Sequence, residues 1–282
     1  MKKACIIISI IFLLLIVLSL SLTLFQKQIP LRSRVALVRV EGPIMDSKDL
    51  VDEIKEHLKD HSIKAIILRI DSPGGAVAPS QEIYEEVKKA SEEKHVVVSM
   101  GSIAASGGYY IAAPADMIIA NPGTLTGSIG VIMEIPNLEG LMSKIGVTTE
   151  VIKSGKHKDM ASAFRKMEKE DRDILQGVMD NVHGQFIKAV AEGRKLEVEE
   201  VRSIADGRIF TGEQAKGLKL VDEIGTLEFA VIKAAELAGI SGEPEVVSKK
   251  DTLSIFDALR SRFPKEISDI FPSTKIKFLY TP

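Results

Sequence analysis

The sequence holds a single cysteine, Cys5, among 282 residues. One thiol excludes an intramolecular disulfide and any cysteine-based metal site. Cys5 stands in an apolar run with no small-residue lipoprotein cleavage pattern before it, and it reads as a membrane-facing apolar residue. Strong charge of either sign is also missing. The formal net charge is −2, and no basic block interleaves with aromatics, so no nucleic-acid partner is expected. Several chemistry-bearing motifs do not occur. Without G-x-x-x-x-G-K-[ST], nothing points to ATP hydrolysis. G-x-G-x-x-G after a strand, H-E-x-x-H and G-x-S-x-G are absent as well. Histidines are few. His57 and His61 stand four apart on a stretch read as one helix, a spacing that suits zinc. That helix reads as charged and exposed and no third ligand is in sight, so both histidines read as solvated surface and no metal or cofactor is expected.

What is present begins at the N-terminus. Lys2 and Lys3 precede an uncharged run of 22 residues, Ala4 to Phe25. As a helix it would span roughly 33 Å, enough for a hydrocarbon core of about 30 Å. The following "SLTLFQKQIPLRSR" offers no small-residue cleavage site, which favours an uncleaved anchor over a secretory signal. A short Lys-Lys head usually stays in the cytoplasm, which would place the body outside it. Lys27, Arg32 and Arg34 on the far side weaken that orientation signal.

Past the anchor, strands and helices alternate. "RVALVRVEG", "KAIILRIDSPGG", "HVVVSM", "DMIIAN" and "TTEVIKSG" read as strands. "KDLVDEIKEHLKD", "SQEIYEEVKKASEE", the alanine-rich stretch from Ser102 to Ala113, and the long segment from Lys169 to Leu196 read as helices. "TGEQAKGLKLVDEIGTLEFAVIKAAELAGI" reads as helix, short strand, helix. This order argues for βαβ units and a mostly parallel sheet. The tail from Glu243 is less periodic. It reads either as a loosely packed terminal segment or as an arm that docks on a neighbouring subunit.

Ser106 raises the chemical question, because it lies between alanines and glycines with no other polar side chain beside it. It is either a packing residue or a nucleophile at the mouth of a helix. "RIDSPGGAV" ends a buried strand on paired glycines, Gly74 and Gly75. These form an ordinary turn or turn backbone N–H groups toward one point, where a substrate without steric hindrance can approach. With Ser106 on the following βα unit, such donors, together with the amide of Gly107, would suit an oxyanion. A serine needs a base. His157 and Lys158, in "IKSGKHKDM", are the candidates on a loop able to return to the site, unless that loop is merely solvated. A lysine base must be neutral. The ordinary amine pKa is about 10.4, so its surroundings would have to favour the neutral form.

"RIDSPGGAV", "GSIAASGGYYIAAPADMIIANPGTLTGSIGV" and "IKSGKHKDM", with "DGRIFTGEQAKGLKLVDEIG" closing the core, resemble the motifs of the signal peptide peptidase A family in its short, single-repeat bacterial form. The resemblance runs from Val35 to Ile240. It implies an α/β, ClpP/crotonase-like core of repeated ββα/βαβ units preceded by one N-terminal transmembrane helix. The corresponding boundaries are an anchor over 1–27, a linker over 28–34, a peptidase domain over 35–242 and a C-terminal tail over 243–282. It implies Ser106 as nucleophile, Lys158 as general base, Ser128 as the residue orienting that base, and Gly75 and Gly107 as the oxyanion hole. It further implies a membrane-bound endopeptidase that degrades signal-peptide remnants without ATP, in rings whose active sites lie between protomers. The competing expectations are a crotonase-like acyl-CoA enzyme and a non-catalytic membrane scaffold.

Overall fold

The computed structural model describes residues 33–248 and, by backbone alone, the strand Lys277–Leu279. The predicted anchor, most of the linker and residues 249–276 of the tail lie outside the described residues. Among the described residues no helix is long and apolar enough to cross a membrane.

The strands β1 (Arg34–Glu41), β2 (Ile63–Ser72) and β4 (His95–Ala105) are nearly continuous apolar runs, as expected of parallel strands covered on both faces. They pair in parallel in the order β1–β2–β4. Alternation along each strand then sorts side chains between two clusters. Val38, Leu68 and Val98 face one side, packed with residues of α1 (Lys48–Lys59), α2 (Val77–Glu93), α3 (Gly107–Ala112) and α5 (Lys169–Arg194). Val35, Ile67 and Val97 face the other, against Ala230 and Ala234 of α8 (Leu227–Leu237).

The far edge of β4 carries two shorter strands. Its first half pairs with β5 (Met117–Ala120), which in turn pairs with β8 (Glu223–Ile224). Its second half pairs with β6 (Leu125–Gly127), itself antiparallel to β7 (Ile209–Thr211). The helix expected from Ser102 therefore begins only at Gly107, and Ser102–Ala105 continue the strand. Two contacts from distant sequence explain the difference. The Ile103 N–H donates to the Asp71 carboxylate at 3.1 Å, and the Thr126 hydroxyl donates to the Ala104 carbonyl at 2.7 Å. Pairing with β6 outweighs alanine's intrinsic helix preference.

Three further expectations change. "TTEVIKSG" forms no strand, and Ile152 within it is 99% exposed. It runs without regular structure to Gly155, and turns follow it, with Lys158 N–H on the Gly155 carbonyl at 3.2 Å and Met160 N–H on the His157 carbonyl at 3.2 Å. With no strand edge beside them, its β-branched residues gain nothing from extension. His57 lies on α1 but His61 falls beyond its end, so the two do not share a helix. In the segment read as tail, β9 (Glu245–Val247) pairs in parallel with β1, and β10 (Lys277–Leu279) pairs antiparallel with β3 (Gly74–Ala76). The helices α4 (Glu139–Lys144), α6 (Val198–Ile204) and α7 (Gly212–Gly217) complete the described elements.

Candidate active site

The register of β4 and β6 places two serines side by side. Ala105 is opposite Gly127, so Ser106 and Ser128 are the next residues at the ends of adjacent parallel strands, which lie about 4.8 Å apart. Both leave their strands with positive φ, 54° at Ser106 and 51° at Ser128. Such a conformation costs a non-glycine residue on the order of 1–3 kcal/mol and persists where surrounding bonds enforce it. Here the Ser106 N–H donates to the Gly127 carbonyl at 2.8 Å, and the Ser106 carbonyl accepts from Tyr110 N–H at 2.8 Å. The Ser128 N–H donates to the Arg208 carbonyl at 2.9 Å. Ser106 thus sits on a sharp strand-to-helix turn and is 1% exposed.

The paired glycines meet the start of α3. A methyl group at Gly107 would lie 2.7 Å from Ser80 Oγ, 3.1 Å from the Gly75 nitrogen and 3.2 Å from Gly74 Cα. One at Gly75 would lie 2.0 Å from the Ile44 carbonyl oxygen. At Gly75 only bare backbone fits, whereas a methyl at Gly107 would have to push the Ser80 hydroxyl aside and crowd the Gly75 nitrogen. Gly107 opens α3, where the first N–H groups have no intrahelical partner. Ile44 bonds to Gly74 O at 2.8 Å and accepts from Ala76 N–H at 2.7 Å. Strand alternation therefore directs the N–H and C=O of Gly75 to the opposite edge, where Phe278 of β10 is its register partner. This edge accepts an extended chain.

A cavity of about 420 Å³ opens beside Ser128, lined by Ile132, Met179, Asp180, His183 and Asp206 among others. The Nε2 atom of His183 is buried without a hydrogen-bond partner among the described residues. Sequence reading favoured His157 as the histidine near the site, but it is His183 that lines this cavity. The available signal was the spacing of Gln176, Met179, Asp180 and His183, which shares one face of α5. His157 instead lies 3.5 Å from the Asp171 and Glu170 carboxylates.

Lys158 is exposed on the loop before α5. Among the described residues no hydrogen bond joins it to Ser106 or Ser128 within the chain. Its loop is anchored at the N-terminus of α5, where Arg165 meets Asp171 at 2.7 Å. The opposite half of α5 packs on α3 through Phe186 and Tyr110, whose rings are 4.9 Å apart. Asp171 and Phe186 are separated by roughly 22 Å of helix.

The sequence profile of Peptidase family S49 matches residues 88–241, and that of Clp protease matches residues 37–124. A Synechocystis protein carrying a protease name is 49% identical over 210 residues, covering 74% of this chain and 76% of its own length. Protease 4 of Salmonella typhi is 36% identical over 257 residues, covering 85% of this chain and 41% of its own. Serine protease SPPA, chloroplastic, of Arabidopsis thaliana is 33% identical over 260 residues, covering 89% and 38%. The chain thus spans less than half the length of the last two. Its ClpP-like α/β fold and the profile match over most of that fold agree: the chain belongs to peptidase family S49, a family of serine-type proteases.

Proposed function

We propose that this protein is a membrane-anchored serine endopeptidase that works through a Ser106–Lys158 dyad. The observation that carries the reading is the convergence at one point of a strained, buried serine and two bare glycine backbones, Gly75 and Gly107. Ser106 Oγ attacks the peptide carbonyl carbon while its proton passes to the neutral amine of Lys158. The amides of Gly75 and Gly107 receive the oxyanion, each worth about 3 kcal/mol of barrier, or roughly a hundredfold in rate. Lys158 returns the proton to the leaving amine as the C–N bond breaks. It then takes a proton from the water that attacks the ester and hands it to Ser106 Oγ as the acyl–oxygen bond breaks, which restores the dyad. Ser128, next to Ser106, orients the Lys158 amine.

The substrate is an extended peptide laid along the Gly74–Ala76 edge, in the place that β10 takes in the single chain. Support comes from β10, an extended segment that pairs antiparallel with that edge. Signal-peptide remnants in the membrane suit an enzyme whose own anchor lies beside them, and no ATP enters the cycle. The body lies outside the cytoplasm. The lysine is supplied by a neighbouring protomer in a ring, which accords with the helix length between the Lys158 loop and the α3 contact.

The test is covalent. The full-length protein, incubated with an activated peptide ester and quenched in acid, is digested and analysed by mass spectrometry. The expected acyl adduct is on the peptide that contains Ser106. An adduct on another residue, or turnover with Ser106→Ala, overturns the assignment.

A further inference from the structure

The stretch from Lys153 to Arg165 carries several cations, and their partners differ in an informative way. Lys153 pairs with Asp159. Lys156 pairs with Glu170. His157 stands between Asp171 and Glu170, 3.5 Å from each. Arg165 forks onto Asp159, with Nε–Oδ2 at 3.0 Å and Nη2–Oδ1 at 3.2 Å, and reaches Asp171 Oδ2 with Nη1 at 2.7 Å. Among the described residues of this stretch, Lys158 alone has no carboxylate partner, although Asp159 is its immediate neighbour in sequence. The acids around it are all engaged by others. Asp171, buried, also accepts from Glu168 N–H at 3.4 Å, and Glu168 itself stands at the N-cap of α5.

We infer that Arg165 is a positioning residue for Lys158: by clamping Asp159 and Asp171 it keeps both carboxylates off the lysine amine and fixes the loop that presents it. The inference rests on reading Lys158 as the base. Its physical content is electrostatic. An amine paired with a carboxylate holds its proton more tightly than one whose neighbouring carboxylates are taken up by other cations. The same guanidinium accounts for the backbone, because its Nη2 also donates to the Asp159 carbonyl at 3.1 Å and its Nη1 to the Lys166 carbonyl at 3.1 Å. These bonds close the turn that begins next to Lys158. Arg165 also holds both carboxyl groups below the ordinary carboxylate range, chiefly by hydrogen bonding, so both stay charged wherever the enzyme is assayed.

The experiment is a pH–rate profile of kcat/KM on a fluorogenic peptide, with full-length protein in its assembled form. Arg165→Gln leaves Asp159 held by Lys153 alone, with Oδ2 open to pair with Lys158. The acidic limb is expected to move to higher pH by about one unit, a roughly tenfold loss on the limb, while the alkaline plateau approaches that of the parent. Arg165→Gln combined with Asp159→Asn is expected to bring the limb back. Arg165→Lys, whose single ammonium replaces the fork with one contact, moves the limb the same way by a smaller step. This variant decides the question if Arg165→Gln does not fold. An unshifted limb overturns the inference. So does an equal loss at every pH that Asp159→Asn leaves unrelieved, because that is the mark of a merely structural role. Turnover by Lys158→Ala would overturn the base assignment itself, whatever the Arg165 variants do. An inactive Lys158→Ala beside unshifted Arg165 variants would overturn only the clamp.

Discussion

Ser106 is set apart by its backbone more than by its side chain. Its positive φ is enforced by hydrogen bonds on both sides, from β6 and from α3. The small residues around it follow from the same geometry, since the glycine backbones close to about van der Waals contact. Ser106→Ala and Lys158→Ala are each expected to lower peptide turnover at least about a thousandfold while leaving the thermal transition in place. Gly107→Ala is expected to cost roughly a hundredfold in kcat, because its methyl meets the Gly75 nitrogen at 3.1 Å and displaces the amide. Adding Ser80→Ala removes the closest contact, at 2.7 Å, yet leaves the Gly75 contact, so no more than partial recovery should follow. Recovery to the parent rate would show that the amide is not what the methyl disturbs. The pH dependence has a fixed sign. A lysine base works only when neutral, so activity should rise with pH through neutrality and favour mildly alkaline buffer. An optimum near pH 5 contradicts a lysine base.

Among the elements, β4 and α5 each do two jobs along their length. The first half of β4 is sheet core, and its second half, paired with β6, sets the two serines abreast. The C-terminal half of α5 buries Phe186, Ile187 and Val190, whereas its N-terminal half leaves Ile174 and Val178 exposed. Phe186 joins the two roles because its ring stacks obliquely on Tyr110 of α3, the helix that follows Ser106. Phe186→Ala is expected to destabilise the body by about 3–5 kcal/mol. Urea unfolding would read this as a lower midpoint with an unchanged slope. A loss under about 1 kcal/mol would mean that α5 is not anchored through this ring.

The proposed assembly would bring together what one chain keeps apart. Exposed large apolar side chains concentrate between Ile132 and Val178, among them Leu141, Ile145 and Ile152. A neighbouring copy that supplies Lys158 would cover side chains of this kind. Co-expressed Ser106→Ala and Lys158→Ala chains should then recover activity that neither parent has. With random mixing in a ring, about a quarter of the sites pair an intact serine with an intact lysine. Mixed rings confirmed by mass spectrometry, yet inactive, would place both residues of the dyad in one chain.

Much of this was legible along the chain. The apolar strands, the amphipathic helices and the small-residue surroundings of Ser106 are local patterns, set by side-chain periodicity and by glycine's lack of a Cβ. The strand "TTEVIKSG" and the helix from Ser102 failed for the opposite reason. Each has the local composition for its predicted form, but the first has no neighbouring edge and the second has one. Likewise Ser128 comes beside Ser106 only through the Ala105–Gly127 register, and Arg165 meets Asp159 and Asp171 only through the fold of the loop. Hydrophobic periodicity records which face of an element is buried. It does not record which distant element pairs beside it, as β6 does beside β4, nor how a polar loop such as that of Arg165 folds back on its own carboxylates.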